Sequence, residues 1–289
     1  MKLLLLFCVR LRILFSAGIA CLMLVSVQPA DAVSLNTRAS ITGETDATAF
    51  YAGASESPTK NQIRSSAVPA YAKASPDLFA GASLGTAWPL ESGYIVTNNH
   101  VISDCTDVLL VDRSGRQVRA WAVARDEIND IALLETSHRD KLPPALPLSH
   151  QQAGLGASVF TIGYPRIDVL GRSPKLSNGI ISSANGLRDN PATYQITVPI
   201  QPGNSGGPLL NMNGEVVGMI KSMIGIRDDS GSLYTLQNTS CALKVDPIRR
   251  LLGHLPHQDP ILKVLPRTAE NLELLARRIQ DSVLIVVAR

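Results

Sequence analysis

Charge of either sign is in short supply in this chain. Only 18% of its 289 residues are Asp, Glu, Lys or Arg, and the 27 basic and 24 acidic side chains nearly cancel. A nucleic-acid binder carries a concentrated basic patch, so this balance argues against that class. Disorder is excluded as well, because 45% of the residues are hydrophobic and the net charge is only +3. Aromatic residues make up 4% of the chain, there are four cysteines, and no internal repeat stands out. Nor is there a convincing set of metal ligands. His254 and His257 lie beside prolines with no carboxylate cluster nearby, so they read as surface residues and no metal or cofactor is expected.

The little charge there is sits unevenly. Lys2, Arg10 and Arg12 open the chain, residues 13–27 are uncharged and mostly apolar, and Ala30-Asp31-Ala32 supplies a small–x–small pattern. Residues 1–32 therefore read as a cleavable export signal, which places the mature chain in the periplasm or outside the cell. The competing reading is an uncleaved anchor, since residues 13–30 are almost long enough to span a bilayer. A lipoprotein site at Cys21 is weaker, because Gly18 stands where a larger aliphatic is expected. After cleavage no stable membrane insertion is expected, the net charge falls to +1, and Cys105 and Cys241 are the remaining cysteines. An oxidising compartment would allow them to pair. Two separately buried thiols are the expected state.

Residues 33–75 are rich in Ala, Ser, Thr and Gly without sustained periodicity, the texture of a flexible stalk. From Leu78 short apolar runs recur, each closed by turn residues: 94–97, 108–111, 118–123, 131–134, 158–162, 179–182, 194–198, 208–210, 216–220 and 232–236. Ser114-Gly115 and Asn213-Gly214 are hairpin signals between such runs. Short strands at this spacing, with few helical windows between them, predict an all-β sandwich or pair of barrels. The end differs: 247–252 predicts a short helix, and Thr268 could cap a second one whose Leu272, Leu275 and Ile279 share a face. Residues 282–288 form a final β-branched run, expected to complete a local sheet.

Three segments carry chemistry. Thr97-Asn-Asn-His100-Val ends one apolar run, Asn129-Asp130 opens another, and Pro202-Gly-Asn-Ser205-Gly-Gly-Pro208 surrounds a serine with glycines. A serine hydroxyl attacks well only when a base takes its proton, and imidazole titrates in the right range. A carboxylate behind the imidazole holds the ring in the useful tautomer. Glycines beside the serine let backbone N–H groups face a developing oxyanion, which assigns that role to the amides of Gly203 and Ser205. Asp126 competes with Asp130, but Asp130 directly precedes the apolar run, so Asp126 reads as a solvated loop acid. The Gly-x-Ser-x-Gly spacing also fits the nucleophile elbow of α/β-hydrolases. That elbow must lead into a helix, whereas Pro208 and Asn213-Gly214 make the next segment a hairpin.

These motifs resemble the chymotrypsin-fold (trypsin-like) serine proteases, in particular the bacterial HtrA/Deg-like branch. The resemblance rests on residues 93–102, on Asp126 with 129–134, and on 202–210, with weaker similarity at 161–165, 179–182 and 213–218. It covers residues 78–252 and implies two six-stranded antiparallel β-barrels with the active site in the cleft between them. The domain layout expected is a signal at 1–32, a stalk at 33–75, a protease domain at 76–252 and a short C-terminal helix and strand at 253–289. The branch usually continues into a PDZ domain, whereas 37 residues follow Leu252 here, so PDZ-based recognition is not expected. Asn204 replaces the aspartate that pairs with a newly cut N-terminus in trypsin-like enzymes, so activation by that insertion is not expected.

The function implied is an exported serine endopeptidase acting through an acyl-enzyme, with His100, Asp130 and Ser205 as the triad. By the family's loop positions Pro199 lies at the base of the primary pocket and Ser222 and Met223 along its wall. None of the three is acidic, which implies a small or medium apolar side chain before the cut. Polypeptides, unfolded ones included, are the implied substrates, and the branch commonly forms homo-oligomers. The competing class is a protease-like fold retained for binding or chaperoning without hydrolysis.

Overall fold

The structure, a computed structural model, describes residues 78–105, 108–227, 233–256 and 260–289. The expected export signal and stalk, and His257, lie outside these residues. Twelve strands are described and they form two closed six-stranded antiparallel barrels. The first has the order β1-β12-β3-β4-β5-β2, from β1 (Ser83–Pro89), β2 (Ile95–Thr97), β3 (Val108–Val111), β4 (Gln117–Asp126), β5 (Ile131–Glu135) and β12 (Leu284–Ala288). The second has the order β10-β11-β8-β7-β6-β9, from β6 (Ser158–Gly163), β7 (Lys175–Ser183), β8 (Thr193–Ile196), β9 (Pro208–Asn211), β10 (Val216–Arg227) and β11 (Leu233–Lys244).

Strands such as β5 and β12 are buried on both faces and so read as unbroken hydrophobic stretches, whereas β4 and β7 alternate between more buried and more exposed residues. In β5, Ala132 and Leu134 point into the first barrel, while Ile131 and Leu133 join a larger core outside it. The second barrel is filled by Val159, Ile181, Tyr194, Ile196, Leu209 and Ala242. The larger core packs residues of both barrels together, including Trp88, Val96 and Leu133 from the first and Phe160, Leu210 and Met219 from the second. The hairpin signals hold. Gly115 and Gly214 adopt φ of +86° and +76°, the left-handed region that glycine enters freely. Asp112 braces the first turn by accepting from Ser114 N and Arg116 N at 2.8 and 3.0 Å.

The C-terminal segment supplies the expected helix and strand, and the strand does more than complete a local sheet. β12 slots between β1 and β3, pairing Ser83↔Ala288 through Ala87↔Leu284 on one edge and Ile285↔Val111 through Ala288↔Val108 on the other. Leu284, Val286 and Ala288 fill the first barrel, while Val283, Ile285 and Val287 enter the larger core. A boundary drawn at Leu252 therefore cuts through a barrel. Helix α3 spans Val245–Leu252, and the short helices α1 (Asn99–Ile102) and α2 (Ile167–Leu170) precede it. The last helix, α4 (Leu272–Ile279), buries Leu275 and Ile279, so its apolar stripe packs in the core. Its cap is Asn271 rather than Thr268: the Asn271 side chain accepts from Leu274 N at 2.9 Å, whereas the Thr268 amide is spent on Asn213 O. Among the described residues no helix is long and apolar enough to cross a membrane.

Candidate active site

His100 lies in α1, one turn beyond the end of β2, and Asp130 stands immediately before β5. β2 and β5 are hydrogen-bonded neighbours with Thr97 opposite Ala132, which brings the two residues together. The Asp130 carboxylate receives the His100 backbone N–H on one oxygen at 2.9 Å and faces His100 Nδ1 with the other at 2.8 Å. Its carbonyl accepts from Asn98 Nδ2 and from Asn99 N at 2.9 and 3.2 Å. Both asparagines of the Thr-Asn-Asn-His motif therefore clamp the aspartate's main chain. Asp130 adopts φ of +64°, an unusual backbone state for a residue with a side chain, and one that Asp tolerates better than most. The carboxylate is largely shielded at 15% exposure, against 51% for the imidazole, which leaves the outer ring edge open.

Asp126 is not the solvated loop acid expected from the sequence. It accepts from Asn129 N at 3.0 Å and from Asn129 Nδ2 at 2.6 Å, shaping the turn that delivers Asp130. Partial burial works against its charge, but the Asn129 donors, the Ile128 amide and the Arg250 charge together hold the carboxyl below the usual carboxylate range.

Ser205 comes from the second barrel, in the turn that leads into β9. Two of its neighbours must be glycine. Gly203 and Gly206 have φ of +98° and +83°, and a Cβ on either would fall on a carbonyl oxygen, that of Tyr164 and Thr86 respectively. The Pro202 carbonyl is held by Arg166 N at 2.9 Å and the Asn204 carbonyl by Gly207 N at 2.9 Å. In a trans peptide the N–H points away from its carbonyl, so these bonds orient the amides of Gly203 and Ser205. Neither amide meets a hydrogen-bond acceptor among the described residues. The Ser205 hydroxyl donates to the Lys221 carbonyl at 3.4 Å, and no hydrogen bond joins it to His100. The chain that follows is strand, turn and strand, with Asn211 O accepting from Gly214 N at 3.0 Å, which excludes the α/β-hydrolase elbow.

The residues expected to form the primary pocket are dispersed. Ser222 and Met223 lie on β10 just beyond Lys221 and line a cavity of about 330 Å³ with Lys221, Thr193 and Cys241, whereas Pro199 is exposed and does not line it. Cys105 and Cys241 are both free thiols. Cys105 packs against the interior of the first barrel. Burial pushes the Cys241 thiol up, against the opposing pull of a Thr193 hydrogen bond and the Lys221 charge. The sequence reading missed Thr86, which β1 buries directly against the serine loop. Its run Ser-Leu-Gly-Thr-Ala-Trp-Pro has neither alternation nor a flanking motif to flag it.

The family described as trypsin-like peptidase domain matches residues 85–219, a span that holds His100, Asp130 and Ser205. Among curated proteins, a probable periplasmic serine endoprotease DegP-like of Pseudomonas putida strain W619 is 39% identical over 171 residues, 57% of this chain and 33% of that protein. An uncharacterized protein, y4bJ, of Sinorhizobium fredii is 36% identical over 153 residues, 52% of this chain and 24% of that protein. The chain thus spans a quarter to a third of the length of these two relatives. Among solved structures, the HtrA-type protease AlgW with a tripeptide is 27% identical with a TM-score of 0.48, covering 60% of this chain and 58% of that one. The motifs that the sequence shares with trypsin-like enzymes all fall in the matched span, and over that span the chain is similar to the HtrA-like branch of the chymotrypsin-fold serine proteases.

Proposed function

We propose that the chain is an exported endopeptidase that hydrolyses polypeptides through Ser205, His100 and Asp130. The observation that carries this reading is the Asp130 carboxylate gripping both the backbone N–H and the ring Nδ1 of His100. A ring that donates its Nδ1 proton to Asp130 leaves Nε2 as the acceptor, the tautomer a general base requires.

For reaction, the Ser205 hydroxyl leaves the Lys221 carbonyl and turns to His100. Its oxygen bonds to the substrate's carbonyl carbon while its proton passes to Nε2. The carbonyl oxygen becomes an oxyanion that accepts from the Gly203 and Ser205 amides, and Asp130 stabilises the imidazolium. Collapse breaks the C–N bond, the imidazolium proton leaves on the amine, and an acyl ester remains on Ser205. Water then repeats the sequence through His100 and releases the carboxylic acid.

Ser222 and Met223, beside the carbonyl of Lys221, favour a small or medium apolar side chain before the cut. The leader-like residues 1–32 and the periplasmic names of the DegP-like relatives support export. The motif resemblance to the HtrA-like branch makes unfolded chains the substrate class and a homo-oligomer the assembly to look for.

A serine-reactive fluorophosphonate probe tests the reading. Wild-type protein should be labelled and Ser205→Ala spared. Equal labelling of both, or none of either, would favour a binding module without hydrolysis, the alternative that the resting Ser205–Lys221 bond keeps open.

A further inference from the structure

β1 is the strand where the two halves of the site meet, and Thr86 is its point of contact. The residue is fully buried and every polar atom it has is engaged. Its N–H donates to Ser205 O at 2.8 Å, and its carbonyl accepts from Thr97 Oγ1 at 3.0 Å. Its hydroxyl donates to Gly203 O at 2.7 Å and accepts from Tyr164 N at 3.1 Å. The backbone bonds would survive almost any substitution on β1. The two hydroxyl bonds would not, and neither belongs to the barrel's strand ladder.

Valine has nearly the shape of threonine and favours strands at least as well, so packing does not account for the hydroxyl. What the hydroxyl does is hold the carbonyl end of the peptide that follows Gly203, whose other end, Asn204 N, donates to Gln201 O at 3.0 Å. The peptide before it is fixed by Arg166, through the Pro202 carbonyl. Gly203 has no side chain to restrict it and sits at φ of +98°, so the hydrogen bonds of its two flanking peptides, the Thr86 one included, determine where its N–H points. Removing the Thr86 hydroxyl would leave the buried Gly203 carbonyl and the Tyr164 amide without partners. The glycine could then rotate to satisfy its carbonyl, turning its own N–H out of line.

We propose that Thr86 is a positioning residue for the oxyanion hole: its hydroxyl, pinned by Tyr164 N, holds the Gly203 carbonyl so that the Gly203 N–H faces the reacting carbonyl. The inference rests on the serine-peptidase reading given above. It also makes Thr86 a bridge between the catalytic halves, because Thr97, whose hydroxyl donates to the Thr86 carbonyl, lies three residues before His100.

The decisive variants are Thr86→Val, which deletes the hydroxyl and keeps the shape, and Thr86→Ser, which keeps the hydroxyl. Rates are taken per active site, counted by fluorophosphonate titration. Thr86→Val should lose roughly 10- to 100-fold in kcat, short of the loss of a whole oxyanion donor, with KM within about twofold. Its affinity for a peptide boronate should fall in the same proportion. Thr86→Ser should keep at least about a third of wild-type kcat. A valine variant with wild-type kcat, or a serine variant as impaired as the valine one, would overturn the assignment. A crystal structure of Thr86→Val reads the geometry without reference to activity. The Gly203 carbonyl is expected to turn away from residue 86, and an unmoved 202–204 backbone would also overturn it. Wild-type protein that no probe labels would instead sink the peptidase reading, and the crystal structure would still decide the role of Thr86 in the loop.

Discussion

The two barrels share a strand count and differ in how the chain supplies the strands. The second is built from one unbroken stretch, β6 to β11, within residues 158–244. The first starts at Ser83, runs through β5, and then waits for Leu284–Ala288 to arrive from the far end of the chain. His100 and Asp130 belong to the barrel with the distant strand, and Ser205 to the self-contained one. His100 and Asp130 therefore rest on a barrel that the last residues of the sequence close. Closing so long a loop is entropically costly, and only the burial of β12 offsets it. All five residues of β12 are buried, and Tyr164 ties the entry to the strand by donating from its hydroxyl to Val283 O at 3.3 Å. Burial pushes the Tyr164 phenol well up from its ordinary value, so it remains a neutral donor.

The largest effect should come from breaking this dependence outright. Deleting residues 284–289 removes about 2 kcal/mol of apolar burial per large side chain, some 8–10 kcal/mol in all, comparable to the whole stability of a typical domain. The expected outcome is loss of the first barrel and of all fluorophosphonate labelling, with the amides of β6–β9 keeping more hydrogen-exchange protection than those of β3–β5. Equal loss of protection in both barrels would show that they fold as one unit. A smaller effect, confined to chemistry, should follow Asp130→Asn. Asn tolerates the +64° backbone, so the fold should persist, while the ring loses its carboxylate partner. A fall of about 10⁴-fold in kcat with the thermal midpoint unchanged within a few degrees is expected. The smallest effect belongs to Asp281→Asn. Its ion pair with Arg113 at 3.0 Å stands beside the entry to β12 but is open to solvent, with exposures of 62% and 44%. Its loss should change stability by less than about 1 kcal/mol. A larger change in urea unfolding would mean that charge, rather than apolar burial, docks the last strand.

The site was more legible in the sequence than the architecture that holds it. His100, Asp130 and Ser205 stand in compact motifs whose residue types follow from the chemistry, and Gly203 and Gly206 are glycines because a Cβ at either would strike backbone. β5 was readable as an unbroken apolar run. β1 was not, because Gly85 through Pro89 are all buried yet include a glycine, a threonine and a proline, which hides the run. Asp126 was misread because its role depends on two hydrogen bonds to Asn129 that no spacing rule announces. Thr268 is a competent cap by residue type, but the helix starts at Leu272, and the cap is its immediate neighbour Asn271, whose side chain reaches Leu274 N.

The sequence by itself set out the residues of the proposed chemistry: His100, Asp130 and Ser205 in compact motifs, with glycines where a backbone must approach closely. It also determined that residues 282–288 would be extended, because local side-chain preference settles whether a segment forms a strand. Only the tertiary structure decided which strands that segment would pair with, that it would close the barrel carrying His100 and Asp130, and that Thr86 would join the serine loop to that barrel. The physical reason is that strand hydrogen bonds are made between backbones. Backbone groups are the same at every residue, so a partner far away in the chain leaves no mark on either sequence until burial selects the register.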